Sequence, residues 1–458
     1  MERLLSRFPY SSFQSWIAST FCFSLFASLA CAAQAQDQGA TPEISGPGAP
    51  VGQSGNESAQ DIDALGQRGL TTNFPGIADT ILADKSGWRS RLAEQGVFVR
   101  AQSINMLGLD LLGNNRDGPQ LYSGQRLTAG SSNFATASLA LDRFGIADGQ
   151  ITVGAEFLRT SFAPAGPNQF QLAILEYHQR FANGKIEVKA GFNNNISNYV
   201  GIFAGGNPIV STGVGALVPV QVGLSASPAT TPSLSITING SHGFYNKAGI
   251  QRSISARGLA YDAHHNGIGL RFAQRDAKAL FIEEMGILRP ASAADHQLWL
   301  RTGFIYNKTR YARFDGKGSQ RNWAAYAIAD RQILKTHPTE PYRGLYIGAS
   351  ALIAPASINL TTRSLEARIY GIGMIKGRPS DTATLTFGYN RFSADARHAY
   401  GKTGAPTARH QWQLSGLYAY RVTRGIYLAP SIAYLRNPAF APRKQHALNA
   451  TGALTFLF

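Results

Sequence analysis

From Val97 to Phe458 the chain alternates apolar and polar residues with a period of two. In Thr382–Asn390, Ala383, Leu385, Phe387 and Tyr389 share one side, and Thr382, Thr384, Thr386, Gly388 and Asn390 share the other. In Gln297–Asn307, Leu298, Leu300, Phe304 and Tyr306 oppose Gln297, Arg301 and Asn307. In Lys185–Phe192, Ile186, Val188, Ala190 and Phe192 oppose Lys185, Glu187 and Lys189. In Leu365–Lys376, Leu365, Ala367, Ile369 and Ile375 oppose Glu366, Arg368 and Lys376. Side chains of a strand point alternately to its two faces, so this pattern predicts strands with one apolar and one polar face. Turn chemistry such as Asn183-Gly184 and Arg378-Pro379-Ser380-Asp381 separates them.

No linker breaks the array, which is longer than a soluble sandwich domain allows. Tyr and Phe recur near strand ends, as the aromatic girdles of a membrane barrel require. The reading is all-β: a transmembrane antiparallel up-and-down barrel over residues 96–458. At about 22 residues per strand with its connection, roughly 16 strands fit, and 14 or 18 are also compatible. Before it, residues 36–72 read as a flexible Gly/Pro/Ser/Gln-rich leader, and 73–95 as a short pre-barrel segment with a helix near Asp84–Gly96.

Both ends carry signals. Arg3 and Arg7 precede the apolar or small run Ile17–Ala33, and Ala33-Gln34-Ala35 is a small-x-small cleavage site, so residues 1–35 read as a secretory signal peptide. At the other end Leu448, Ala450, Gly452, Leu454, Phe456 and Phe458 form one face of a last strand; Leu457 is the apolar exception on the opposite face. Phe456 and Phe458 are the expected assembly signal for barrel-assembly machinery, and the expected compartment is the outer membrane of a Gram-negative bacterium.

Composition agrees. Charged residues make up 15% of the chain, below the usual quarter or so, and 44% are hydrophobic, too many for disorder. Cys22 and Cys31 both lie in the signal, so a cleaved chain has no thiol for a disulfide, zinc or iron–sulfur site or a cysteine nucleophile. Cleavage removes Glu2, Arg3 and Arg7 and lowers the formal charge from +16 to +15. That charge implies a cation-repelling lumen or a basic rim against lipid phosphates.

Four segments, in their order along the chain, resemble the carbohydrate-selective porins of the OprB type. These are Trp88-Arg-Ser-Arg-Leu-Ala-Glu-Gln-Gly-Val97, Leu175-Glu-Tyr-His-Gln-Arg-Phe-Ala-Asn-Gly-Lys-Ile-Glu-Val-Lys-Ala-Gly191, Gly377-Arg378-Pro379-x-Asp381 and Tyr427-Leu-Ala-Pro-Ser-Ile-Ala-Tyr-Leu-Arg-Asn-Pro438. The resemblance implies a 16-stranded outer-membrane barrel for passive, moderately selective uptake of glucose-like sugars. It leaves the oligomeric state open between monomer and trimer. Gln411 and Gln413 stand where the family usually carries a Glu, so lumen polarity differs in that sector.

No catalytic constellation, cofactor motif, metal motif or nucleic-acid signature stands out. Gly401-Lys402-Thr403 mimics the end of a phosphate loop, but position 396 is Ala, and the site reads as an inter-strand loop. The chemistry lies in charges on alternating strands, because a charge facing hydrocarbon costs about 2–4 kcal/mol at the midplane. Candidate pore-lining residues are Glu156, Glu176, Lys185, Glu187, Lys189, Arg271, Glu284, Arg301, Glu366 and Arg368. Of the adjacent pair Glu283-Glu284, one must lie in a bulge or outside the apolar band, and the family resemblance favours Glu284 as the inward one. Candidate sugar-stacking rings are Tyr177, Trp299, Trp323 and Tyr370, each equally readable as a girdle residue. The leading expectation is a sugar channel whose partners are sugar solutes and outer-membrane lipid. The alternatives are a general or anion-preferring porin and, outside transport, a barrel lipase.

Overall fold

The computed structural model describes residues 54–69, 76–114, 118–162, 168–200, 217–402, 404 and 406–458. The expected signal peptide, residues 36–53 and 70–72 of the leader and residues 73–75 of the pre-barrel segment lie outside them. Sixteen antiparallel strands, each paired with its sequence neighbours, close into a barrel when β16 pairs with β1. They are β1 Val97–Asp110, β2 Thr128–Ala140, β3 Gly149–Thr160, β4 Gln169–Phe181, β5 Ile186–Asn193, β6 Thr231–Asn239, β7 Phe244–Arg252 and β8 Ala279–Arg289. The second half comprises β9 Leu298–Ala312, β10 Ser319–Lys335, β11 Gly344–Ile353, β12 Thr361–Ile372, β13 Thr382–Phe392, β14 His410–Thr423, β15 Ile426–Arg436 and β16 His446–Leu457. Closure leaves no unpaired strand edge, which a strand in lipid cannot tolerate.

The phase read from the sequence is inverted relative to a soluble protein. In β13, Thr382, Thr384, Thr386 and Asn390 are buried, while Leu385 and Phe387 are 49% and 44% exposed. Large aliphatic and aromatic residues cover the outer surface and the polar row faces inward, the arrangement that hydrocarbon solvent demands. The last strand follows suit: Ala447, Asn449, Ala453, Thr455 and Leu457 are buried inward. Leu457 joins an inner apolar patch with Ile104, Met106, Tyr427 and Ala429. At the seam, Phe458 N donates to Ala101 O at 2.8 Å, and Ala101 N donates to Phe458 O at 3.2 Å. Ile375 and Lys376, placed on an alternating segment by the sequence, lie beyond the end of β12 in the turn.

The two ends differ. At the end where the chain enters β1 and leaves β16, connections are short: 141–148, 182–185, 240–243, 290–297, 336–343, 373–381 and 424–425. One is pinned as the sequence suggests. The Arg378 guanidinium donates to both carboxylate oxygens of Asp381, at 2.8 and 3.0 Å, and to Arg421 O at 2.8 Å. Longer connections gather at the opposite, loop end. The residues after β13 form a helix, Ala394–Gly401, whose first turn is capped by the Ser393 hydroxyl, so Gly401 ends a helix within a connection.

Residues 54–69, inside the segment expected to be a flexible leader, are ordered. Helix α1, Ser54–Ala64, buries Ile62 against Ile77 and Phe98. Helix α2, Trp88–Ala93, is the expected pre-barrel helix. Its buried Arg89 donates to Ala83 O at 2.8 Å and to Val99 O, tying the approach segment to β1.

Candidate functional site

The connection between β5 and β6 folds into the barrel in its described parts, residues 194–200 and 217–230. Its buried Ile196, Tyr199, Val200, Val218, Val222 and Leu224 pack against inner-wall Leu280, Ile282, Ile305, Ile328 and Leu352. Within it the buried helix α3, Leu217–Gln221, carries Gln221, which exchanges two hydrogen bonds with the Thr361 backbone on β12. Ser227 donates to Glu156 Oε2 on β3 at 2.5 Å, and Val222 O accepts from Asn307 Nδ2 on β9 at 2.7 Å. Strands β3 and β12 stand on nearly opposite sides of the barrel. The loop therefore crosses the lumen and narrows it. The β7–β8 connection supports it: Arg252 and Asp262 form a buried double hydrogen bond at 2.8 and 3.1 Å, and Ile254 and Leu259 join the same apolar cluster.

Against this loop the inner wall of β7–β10 gathers charge. Glu284 is fully buried on β8; its Oε1 accepts from Tyr245 Oη at 2.9 Å and its Oε2 from Tyr326 Oη at 2.8 Å. Lys247 stands opposite Glu284 in register, and its Nζ donates to Asn198 O in the loop at 2.6 Å. Trp299 Nε1 donates to Tyr245 Oη at 3.2 Å, and the Arg301 guanidinium lies 3.5 Å from the Trp299 ring centre. Arg301 Nε and Nη1 are buried with no hydrogen-bond partner. Gly286 and Gly303 face the same tyrosines: a Cβ at Gly303 would lie 2.3 Å from the Tyr326 ring and one at Gly286 2.7 Å from Tyr245 Oη. The missing side chains make room for the phenols that hold Glu284.

A second group adjoins through the pairing of Trp299 with Asp330 on β10. Arg368 on β12 donates to both oxygens of Asp330, at 2.9 and 2.8 Å, to Glu366 at 2.9 Å and to Ser350 at 2.7 Å. Tyr370 stacks on Tyr346 with ring centres 4.9 Å apart and planes 8° apart. A third group lies on β3–β5. Glu156 accepts from Ser132 and Ser227, His178 contacts Glu187 at 3.1 Å, and Lys189 sits 4.0 Å from Glu176.

Of the residues expected on the pore wall, Glu156, Glu176, Glu187, Lys189, Glu284, Arg301, Glu366 and Arg368 occupy inward rows. Two do not. Lys185 precedes β5 in the Asn183-Gly184 turn and is exposed, and Arg271 is exposed in the β7–β8 connection, because neither belongs to a strand. The adjacent glutamates need no bulge. β8 pairs regularly, Glu284 faces in, and Glu283 faces out, exposed, accepting from Asn246 Nδ2 at 3.0 Å.

The ring candidates divide similarly. Tyr177 and Trp323 point outward. Tyr177 pairs with exposed Ile151, and Trp323 stacks on Phe304, itself 49% exposed, at 6.1 Å. They are surface residues, not sugar platforms. Trp299 and Tyr370 point inward but are 2% and 1% exposed, each with a ring face covered by Arg301 or Tyr346, so neither offers a free face to a ring. The sequence reading passed over Lys247, Tyr245, Tyr326 and Asp330. Alternation in Phe244–Arg252, with Tyr245, Lys247, Gly249 and Gln251 on one side, carried the signal for the first two. Among the described residues no three His, Cys, Asp or Glu side chains gather to hold a metal ion.

A family model described as carbohydrate-selective porin, OprB family, matches residues 114–458. Among solved structures, the high-pH form of Pseudomonas putida OprB superposes with a TM-score of 0.72 at 14% identity, covering 83% of this chain and 99% of that one. The low-pH form of the same protein gives a TM-score of 0.52 at 14% identity, covering 83% and 98%. At that identity the likeness speaks for the fold. No curated protein matches the chain by sequence.

Proposed function

The chain belongs to the OprB family of carbohydrate-selective porins, and from that premise we propose that it sits in an outer membrane and lets glucose-like monosaccharides diffuse passively to the periplasm. The observation that carries this reading is the crossing of the lumen by residues 217–230 beside a wall bearing Glu284, Lys247 and Arg301. A sugar presents hydroxyls that both donate and accept. A carboxylate accepts from them, and a guanidinium donates to two at once, with charge-assisted bonds stronger than neutral ones. Glu284, Lys247 and Arg301, all buried in the wall beside the crossing segment, set the local field there. Both signs of charge stand within one site, which suits neutral polyhydroxylated solutes better than ions of either sign. Binding stays weak enough to release, since a tight site blocks flux.

Liposome swelling and planar-bilayer recording test the reading. The expected result is swelling with glucose faster than with a trisaccharide, and a reduction of single-channel current by added glucose. A second reading is kept by the net charge of +15 left when residues 1–35 are removed from the chain's +16: a general or anion-preferring porin. Strong anion selectivity in the reversal potential, without any effect of glucose on the current, would establish it and overturn the first.

A further inference from the structure

Residues 54–69 enter the terminal end of the lumen. They precede the part of the chain that the family model matches, which starts at residue 114. Helix α1 is anchored by Ile62 against inward-facing Phe98 of β1, and Asp63 accepts from Ile77 N at 2.9 Å. The hook after the helix is gripped by inward side chains of two further strands. Gln150 on β3, with no exposed surface, donates to Leu65 O at 3.0 Å and Gly66 O at 2.9 Å and accepts from Arg68 N at 2.8 Å. Lys189 on β5 donates to Gly69 O at 2.6 Å. Lys189 is three residues into its strand, about 10 Å from the terminal end at about 3.3 Å per residue. Gly69 has φ +66°, and a Cβ there would lie 2.6 Å from Lys189 Cε and 3.0 Å from His178 Nε2. The backbone therefore lies directly against wall side chains, in a conformation that glycine adopts without strain.

From these contacts the geometry points to a second constriction: residues 54–69 narrow the terminal mouth of the pore, in series with the crossing at residues 217–230, and lower the size of solute that passes. The inference rests on the chain being a diffusion pore. The grip is made chiefly to backbone carbonyls, so it fixes where the hook runs, and a fixed segment inside the lumen excludes solute by its bulk. In a series of two narrow zones the resistances add, so removing one raises the current through the whole.

The test is a full-length chain from which only residues 54–69 are deleted, checked for a folded barrel by heat-modifiable migration. Single-channel conductance in KCl is expected to rise about twofold or more, and the ratio of disaccharide to monosaccharide swelling rates to rise with it. A folded deletion with unchanged conductance and unchanged ratio overturns the second constriction. A full chain that conducts no current overturns the pore reading instead. Should the deletion fail to assemble, Gln150→Ala in the full chain decides: release of the hook is expected to expose the Arg68 bond to trypsin and raise the same swelling ratio. Continued protection with an unchanged ratio overturns the inference.

Discussion

The Arg301 guanidinium lies over the Trp299 indole at 3.5 Å from its centre, two residues away on the same inward row of β9. Leu300 between them faces out and is 39% exposed. Three consecutive residues thus alternate between the inner and the outer side of the barrel wall, and they give the sharpest mutational test of its phase. Leu300→Arg puts a charge on the lipid face, at a cost that is about 2–4 kcal/mol at the midplane and falls to about 0–1 near an interface. It should lower the yield of folded, heat-modifiable barrel. Arg301→Ala should assemble normally and shift the reversal potential away from anions. Normal assembly of the first variant with failure of the second would exchange inside and outside.

Tyr326 holds one oxygen of buried Glu284 and Tyr245 the other. Tyr326→Phe leaves that oxygen without its donor, at a cost of about 1–3 kcal/mol. The expected outcome is a lower urea midpoint for the barrel in detergent micelles. An unchanged midpoint would mean that the carboxylate finds another donor.

Gly303→Ala tests the space beside the same phenol, since its Cβ would meet the Tyr326 ring at 2.3 Å. Overpacking of this kind costs about 1–3 kcal/mol. Tyr326 should swing from Glu284, so the variant should lose stability and show altered block of the current by glucose. Wild-type behaviour in both measurements would show that the wall yields there.

Arg368 neutralises both Asp330 and Glu366 on the buried wall. Arg368→Met strands two carboxylates, and removal of one partner from a buried pair costs about 3–5 kcal/mol. The triple variant Arg368→Met, Asp330→Leu and Glu366→Leu should recover much of that loss in the same unfolding assay. A triple variant as unstable as the single one would place the effect in packing.

Deletion of Phe458 removes the two hydrogen bonds it exchanges with Ala101 at the barrel seam, together with the terminal aromatic. Outer-membrane yield of folded protein should fall, with unfolded chain accumulating in the periplasm. A normal yield would show that β16 needs no terminal aromatic for recognition.

The barrel and its phase were legible in the sequence because alternation is local. Whether Thr384 and Leu385 face lumen or lipid follows from their neighbours along the chain, and a one-residue slip would turn every side chain to the wrong solvent. Inward places for Arg301 and Arg368 followed from that rule and the choice of Glu284 over Glu283 from the family resemblance, while Lys185 and Arg271 escaped the rule by lying outside strands. Tyr177 and Trp323 could not be assigned a face by residue type, since an aromatic ring suits lumen and girdle alike. The partners were decided only by the tertiary structure. Glu284 meets Tyr245 and Tyr326 from 39 and 42 residues away, and Gln221 reaches Thr361 across 140. Such contacts depend on strand register, barrel closure and the path of a loop through the lumen. Residues 54–69 of the leader that reads as flexible by composition take a defined path for the same reason: Gln150 and Lys189, brought together on the closed wall, hold their backbone carbonyls.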